Sequence, residues 1–133
     1  MHTTTANRWI RSADDTRKLM EVALGRRSAD LAVVGAALLN VYTGEVLENQ
    51  SVCIWDRWIA RVGDDPGDCI GSGTEVIEAA GRTMIPGLID GHMHMAWLCT
   101  PESFLLHAMS GGTTTIVTEI LEPYPVAGLP GIE

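Results

Sequence analysis

Two histidines separated by one residue, His92 and His94, are the residues whose type and spacing most directly indicate chemistry in this sequence. They end a mostly apolar run that follows Pro86-Gly87, and such a run is typical of a β-strand. Alternate side chains of a strand point to the same face, so both imidazoles would project together. Paired imidazoles suit a divalent transition metal. The alternative is two strand-end histidines that are solvated or bonded to backbone.

The elements that would position these histidines are a strand, a helix and a second strand. Residues 84–90 predict the first strand, and Thr100 and Pro101 indicate a helix start, with Thr as the N-cap and Pro at the first helical position. The helix would end at Gly111-Gly112, and residues 113–120, rich in Thr, Ile and Val, predict the second strand. Strand–helix–strand units form parallel sheets, whose functional groups gather at the carboxyl ends of the strands.

The preceding residues predict one helix and then a β-rich layer. Ser12 and Asp15 have the S-x-x-D spacing of a helix start, and Gly25 is placed to end a helix over residues 13–24. Short strand-like runs follow, and the last of them alternates polar and apolar residues, which predicts a half-buried strand. This spacing indicates a small β-sandwich or barrel-like layer. The predicted strands are residues 30–35, 37–42, 51–55, 58–62 and 74–79.

Composition and charge exclude several classes of partner. The chain of 133 residues has a formal net charge of −8, from 17 acidic and 9 basic residues. Such a surface argues against a nucleic-acid partner, because binding to the phosphate backbone usually depends on clustered Lys and Arg. No apolar stretch approaches the ~20 residues of a membrane-spanning helix, and residues 1–12 lack the apolar core of a secretory signal. We therefore expect neither a nucleic-acid nor a membrane partner.

The cysteines indicate the redox compartment. There are three of them, Cys53, Cys69 and Cys99, and none lies in a C-x-x-C spacing. An odd count without that spacing argues against a disulfide framework or a zinc knuckle. Reduced thiols in a cytoplasmic protein are the simpler interpretation.

The run IPGLIDGHMH at residues 85–94 resembles the signature of the amidohydrolase superfamily, in which P-G-L-I-D-x-H-x-H forms the first strand of a (β/α)₈ barrel. The resemblance implies that His92 and His94 are metal ligands and that the cofactor is a divalent transition metal: Mn, Fe or Zn. It also implies that Asp90 is a supporting residue near them. The alternative for Asp90 is an ordinary turn or cap role.

Within that superfamily the sequence is most similar to adenine deaminases, over about residues 14–120. The matching segments are residues 19–25, 29–33, 40–45, 100–104 and 112–115. The resemblance implies an α/β chain that is an N-terminal portion of such an enzyme. Residues 13–84 would form a helix and part of a small β-sandwich, and residues 85–122 the first strand–helix–strand of an incomplete barrel. Residues 1–12 would be a flexible start, and residues 123–133 an irregular tail.

Two segments depart from the adenine deaminase pattern. Residues 95–98, MAWL, replace an E-S-S-M-like run, and residues 119–122, EILE, replace a D-P-H-E-like run. The second replacement lacks the histidine and retains only its last carboxylate, Glu122. Glu122 is therefore a possible site carboxylate, with a solvated carboxylate at a strand end as the alternative. These departures suit a divergent, adenine-deaminase-like member.

The implied function is metal-dependent hydrolytic deamination of a small purine-like substrate, with adenine and water giving hypoxanthine and ammonia. Further ligands and the proton-transfer carboxylate would lie on later strands, and a full barrel needs roughly 250 residues. We therefore expect this chain to be inactive alone, with no catalytic proton-transfer residue of its own. The alternatives are another amidohydrolase acting on a cyclic amide C–N bond, and a non-catalytic β-rich module. An unclosed parallel sheet edge also predicts self-association.

Overall fold

The computed structural model describes residues 10–94, 100–118 and 123–131. The chain is α/β and divides into two units, residues 1–85 and residues 86–133, each with its own internal contacts. The first unit contains one helix and a mixed five-stranded sheet, and the second contains a two-stranded parallel sheet with helices. None of the helices in the described ranges is long and apolar enough to cross a membrane.

Helix α1, Ala13–Ala23, begins at the capping box that the sequence predicts. The Ser12 hydroxyl accepts a hydrogen bond from the Asp15 N–H at 3.0 Å, and the Asp15 carboxylate accepts one from the Ser12 N–H at 3.3 Å. Each bond satisfies a backbone donor that the first helical turn leaves unpaired. After the C-cap residue, Gly25 takes a φ of 69°, which turns the chain away from the helix axis.

The sheet of the first unit mixes antiparallel and parallel pairs. Its strands are β1 (Leu31–Leu39), β2 (Val46–Trp55), β3 (Trp58–Gly63), β4 (Glu75–Glu78) and β5 (Thr83–Met84). Their order is β3-β2-β1-β4, and the short β5 also pairs with β1. The β1–β2 and β2–β3 pairs are antiparallel, whereas β4 and β5 run parallel to β1. A 3₁₀ turn, Gly67–Cys69, lies between β3 and β4.

One continuous strand, β1, replaces the two short strands predicted at residues 30–35 and 37–42. The prediction of two strands, the first of them ending at Gly35, is therefore wrong. Gly35 instead has a φ of 75°, and the register with β2 shifts between Val33 and Ala36. The glycine therefore sits in an irregularity of the β-bulge type, which bends a strand without ending it.

The core of the first unit lies between α1 and one face of this sheet. Its buried residues are Val22, Ala29, Ala32, Cys53 and Cys69. The thiol of Cys69 donates a hydrogen bond to the Val22 carbonyl at 3.1 Å, which joins the 3₁₀ turn to α1. Both cysteines of this core are free thiols, and burial, with the neighbouring Cys69, raises the pKa of the Cys53 thiol to about 11. A thiol that stays protonated packs as a small apolar group.

Strand β4 is exposed, which corrects the prediction of a half-buried strand at residues 74–79. All four of its residues are exposed, including Val76 at 40% and Ile77 at 42%. Within the described residues β4 ends the strand order and pairs with β1. The alternating pattern thus identified a strand, but the burial of its apolar side chains requires a covering layer that these residues do not supply.

The second unit has the predicted strand–helix–strand order. Its elements are β6 (Leu88–Met93), α2 (Pro101–Ser110), β7 (Thr113–Thr118) and α3 (Pro123–Ala127), followed by a 3₁₀ turn at Leu129–Gly131. Strands β6 and β7 are parallel, and Thr100 caps α2 as predicted. The expectation of an irregular tail was wrong where α3 forms one helical turn. The predicted flexible start lies mostly outside the described residues.

The positive φ of Gly35 leads to a prediction about stability. We expect Gly35→Ala to lower the free energy of unfolding by about 1–2 kcal/mol, because an L-residue at positive φ brings its Cβ too close to the carbonyl. The new methyl group fits, because its nearest side-chain atom, Ala80 Cβ, is 3.7 Å away. The expected loss of stability therefore comes from backbone strain and not from a side-chain overlap. Urea unfolding followed by tryptophan fluorescence measures this change.

The matched control for this substitution is Gly73→Ala. No heavy atom lies within 4 Å of a Cβ added at Gly73, and its φ is outside the positive range. We expect this variant to be neutral or more stable by up to about 1 kcal/mol, because alanine restricts the unfolded chain. Equal unfolding midpoints for the two variants would contradict the strain assigned to Gly35.

Candidate metal centre

The histidine pair lies at the carboxyl end of β6. His92 is inside the strand, and His94 follows its last residue, Met93. His92 is exposed, whereas His94 is half-buried. Since β6 is parallel to β7, both strands present their carboxyl ends on the same side of this unit. That is the position at which the sequence pattern predicts functional groups.

The two imidazole rings are neighbours. Their centroids are 5.1 Å apart, and the ring planes make an angle of 84°. The rings therefore lie side by side, although the β6–β7 register is irregular between Asp90 and Met93 and His94 follows the end of the strand. Two imidazoles that share one ion, with metal–nitrogen bonds of about 2.1 Å, have centroids roughly 5 Å apart. The spacing of His92 and His94 thus fits a pair of ligands to one metal ion.

Asp90 makes a local backbone contact beside this pair. Its Oδ1 atom accepts a hydrogen bond from the His92 N–H at 3.1 Å, and the residue is half-buried. A carboxylate that accepts from the backbone two residues ahead stabilises a fixed local conformation of the chain. Asp90 therefore restrains the backbone that carries the His92 side chain, which is the turn or cap role considered above.

A threonine of the neighbouring strand makes a second contact at this end of β6. The Thr118 hydroxyl donates a hydrogen bond to the Met93 carbonyl at 2.9 Å, and the two residues are partners in the parallel register. Sequence patterns did not identify Thr118, because they do not give the register between strands that a helix separates. The sequence shows only that Thr118 is a threonine near the end of a predicted strand, which does not indicate its partner.

The start of β6 is held by a close backbone approach. A Cβ atom added at Gly87 would lie 2.1 Å from the Thr114 hydroxyl oxygen, so only glycine fits beside this part of β7. The next residue, Leu88, donates its N–H to the Gly112 carbonyl at 2.9 Å. These contacts give a physical reason for the glycine of the Pro86-Gly87 pair.

Within the part of the chain that the structure describes, the histidine pair alone would be too few ligands for a catalytic metal ion. No group of three or more His, Cys, Asp or Glu side chains there is arranged to hold a metal ion. Catalytic zinc sites usually have three protein ligands. The predicted carboxylate Glu122 lies outside the described residues, and His107 is an exposed residue of α2.

Comparison with curated proteins finds relatives over most of this chain. The adenine deaminase of Paracoccus denitrificans is 46% identical over 116 residues, which are 86% of this chain and 19% of that protein. The adenine deaminase of Ruegeria pomeroyi is 42% identical over 133 residues, which are 99% of this chain and 22% of that protein. The chain is thus homologous to adenine deaminases but spans about a fifth of their length. No protein-family model matches it.

Solved structures show the same fold in a hydrolase. Molinate hydrolase superposes with a TM-score of 0.55 at 24% identity, over 75% of this chain and 26% of that chain. At this level of identity the likeness concerns the fold alone. As with the adenine deaminases, this chain matches only part of a longer protein, here about a quarter of the hydrolase.

The contact between Gly87 and Thr114 gives a prediction about the start of β6. We expect Gly87→Ala to lower the free energy of unfolding by about 1–3 kcal/mol, because the added methyl group overlaps the Thr114 side chain. Gly91→Ala, in the same strand, is the control, since a Cβ there has no heavy atom within 4 Å. Thermal unfolding measures both variants. If Gly87→Ala is as stable as Gly91→Ala, the close contact between residue 87 and Thr114 does not require glycine.

Proposed function

We propose that this chain, homologous over most of its length to adenine deaminases, is the N-terminal portion of a metal-dependent hydrolase that converts adenine and water to hypoxanthine and ammonia. The observation that carries the proposal is the His92–His94 ring pair at the carboxyl end of a parallel strand. The identity of 46% and 42% to two adenine deaminases supports the substrate. The substrate class is a small purine-like ring, in a cytoplasmic enzyme.

The proposed architecture assigns a role to each unit. Residues 85–122 would be the first strand–helix–strand of a (β/α)₈ barrel, and residues 13–84 would include part of a small β-sandwich. The register of the first sheet supports the second assignment. It aligns an apolar row on the face opposite the Ala32–Cys53 core, and two members of that row, Val62 and Ile77, are 48% and 42% exposed. Val52, in the middle of the row, is 5% exposed, so the face is open towards its ends; a partly uncovered apolar face is what half of a sandwich presents.

That row crosses four strands. Its members, paired in turn across the sheet, are Val62, Val52, Val33 and Ile77.

The proposed metal site uses the histidines of this chain as two of several ligands. His92 and His94 would bind a divalent transition metal (Mn, Fe or Zn), and Asp90 would hold the backbone of His92 through its bond to the N–H. A metal held there would make water a better nucleophile at neutral pH. From its sequence position we also propose Glu122 as a site carboxylate. The remaining ligands and the proton-transfer group would come from other parts of the complete enzyme.

A chimera tests this function in a complete enzyme. The 116 matched residues of this chain would replace their counterparts in the Paracoccus denitrificans adenine deaminase. We expect ammonia release from adenine and bound metal in the chimera. His92→Ala or His94→Ala should lower kcat/KM by about 100-fold or more, because each removes a direct ligand. His107→Ala, an exposed helical histidine, is the control and should leave both readouts unchanged.

Two results would contradict parts of this proposal. A chimera that keeps its metal content and turnover after both histidines are replaced would show that they are not ligands. A folded chimera that binds metal fully but does not deaminate adenine would contradict the substrate and favour another ring, such as a cyclic amide.

We also propose that the chain alone self-associates through the second unit. Strand β7 ends the two-stranded sheet within the described residues, and a parallel edge offers unpaired backbone groups to another chain. An open apolar groove of about 380 Å³ lies beside this strand. Its lining residues are Leu105, Met109, Thr113, Thr114, Ile116 and Thr118.

Light scattering tests the self-association. We expect a mass that rises with concentration above the 14.3 kDa of one chain. Val117→Lys, at a β7 residue that is 55% exposed, should restore a monomer because an edge charge opposes strand pairing. Val41→Lys, at a 61% exposed residue of the first unit, should leave the mass unchanged. A monomer at high concentration would contradict the proposal, as would equal effects of the two variants.

A further inference from the structure

We infer that Thr118 is a positioning residue for the histidine pair, because its hydroxyl holds the peptide that joins Met93 to His94. The bond crosses from β7 to β6, with the Thr118 Oγ1 atom 2.9 Å from the Met93 carbonyl oxygen. The inference rests on the proposed function, since it takes His92 and His94 to be metal ligands. It adds a residue to which neither the sequence pattern nor the similarity to known proteins assigns a role.

The orientation of the Met93 carbonyl determines the direction in which the chain enters His94. That carbonyl and the His94 N–H belong to one planar peptide unit, so fixing the oxygen fixes the plane from which His94 departs. Strand β6 ends at Met93, and His94 is therefore beyond the regular strand geometry. A hydrogen bond at this position restrains a residue that the strand itself no longer restrains.

The backbone of the pair is thereby held on both sides. Asp90 accepts from the His92 N–H at 3.1 Å within β6, and Thr118 donates to the Met93 carbonyl from β7. The two bonds restrain the segment between them, and the 5.1 Å spacing of the rings depends on that segment. Groups that orient metal ligands without touching the metal change metal affinity by about 10–100-fold when they are removed.

A purely structural role is the competing explanation for Thr118. Threonine favours strands through its branched Cβ, and β7 contains four threonines, at 113, 114, 115 and 118. Valine has the same branched shape and lacks the hydroxyl. The two roles therefore separate if the hydroxyl, rather than the branched shape, controls metal binding.

Zinc titration of the chimera described above, built to include Thr118, tests the inference, because the remaining metal ligands are then present. The metal-free chimera is titrated with Zn²⁺ at constant pH, bound zinc is measured by equilibrium dialysis, and each variant's unfolding temperature is measured. We expect Thr118→Val to weaken apparent zinc affinity by about tenfold. Thr118→Ser, which keeps the hydroxyl, should remain within about twofold of the starting protein. Thr115→Val, at an exposed position of the same strand, is the matched control and should bind as the starting protein does.

The outcomes distinguish the inference from the function on which it rests. If zinc binding in the starting protein does not depend on His92 and His94, the proposed function fails. If it does depend on them and Thr118→Val binds equally well, only the positioning role is overturned. Equal weakening by Thr118→Val and Thr115→Val also overturns it. If Thr118→Val does not fold, Thr118→Ala replaces it in the experiment. A zinc affinity of Thr118→Ala equal to that of Thr118→Ser then overturns the inference.

Discussion

The parallel register between β6 and β7 is the constraint on which the candidate metal centre depends. The strand that carries the histidines is fixed at its start, where Gly87 lies so close to Thr114 that a side chain would overlap it. It is also fixed at its end, where Thr118 bonds to Met93. A slip of one residue in this pairing would turn His92 to the opposite face and move the Met93 peptide from which His94 departs. The direction of the imidazoles is thus a property of two strands joined by the α2 crossover.

Local signals in the sequence were sufficient for much of this fold. The capping box at Ser12, the Thr100 cap of α2 and the shared face of the two histidines each depend on residues at most three positions apart. Side-chain chemistry and element periodicity determine such features before any tertiary contact forms. They were correct for that reason.

The features that sequence patterns did not give depend on partners distant in the chain. Gly35 resembled a strand boundary, but pairing with β2 carries β1 through it as an irregularity. Val76 and Ile77 had the alternation of a half-buried strand, yet no layer within the described residues covers them. Thr118 acts on a residue 25 positions away, across a helix. In each case the missing information was a pairing register or a covering surface, which alternation along one strand does not contain.

Under the proposed barrel architecture, the segments that resemble adenine deaminases and those that depart from them would have different roles. Gly87, just before β6, and the histidine pair belong to the run that resembles the superfamily signature, and the close approach of Thr114 explains why the position of Gly87 requires glycine. The two departures from the adenine deaminase pattern, residues 95–98 and 119–122, directly follow the ends of β6 and β7 in sequence. In (β/α)₈ barrels, the segments after the carboxyl ends of the strands carry the active site. On the proposed function, a chain that keeps the Gly87 contact and the histidine pair would keep two metal ligands, while its substrate contacts at these two segments would differ from those of other adenine deaminases.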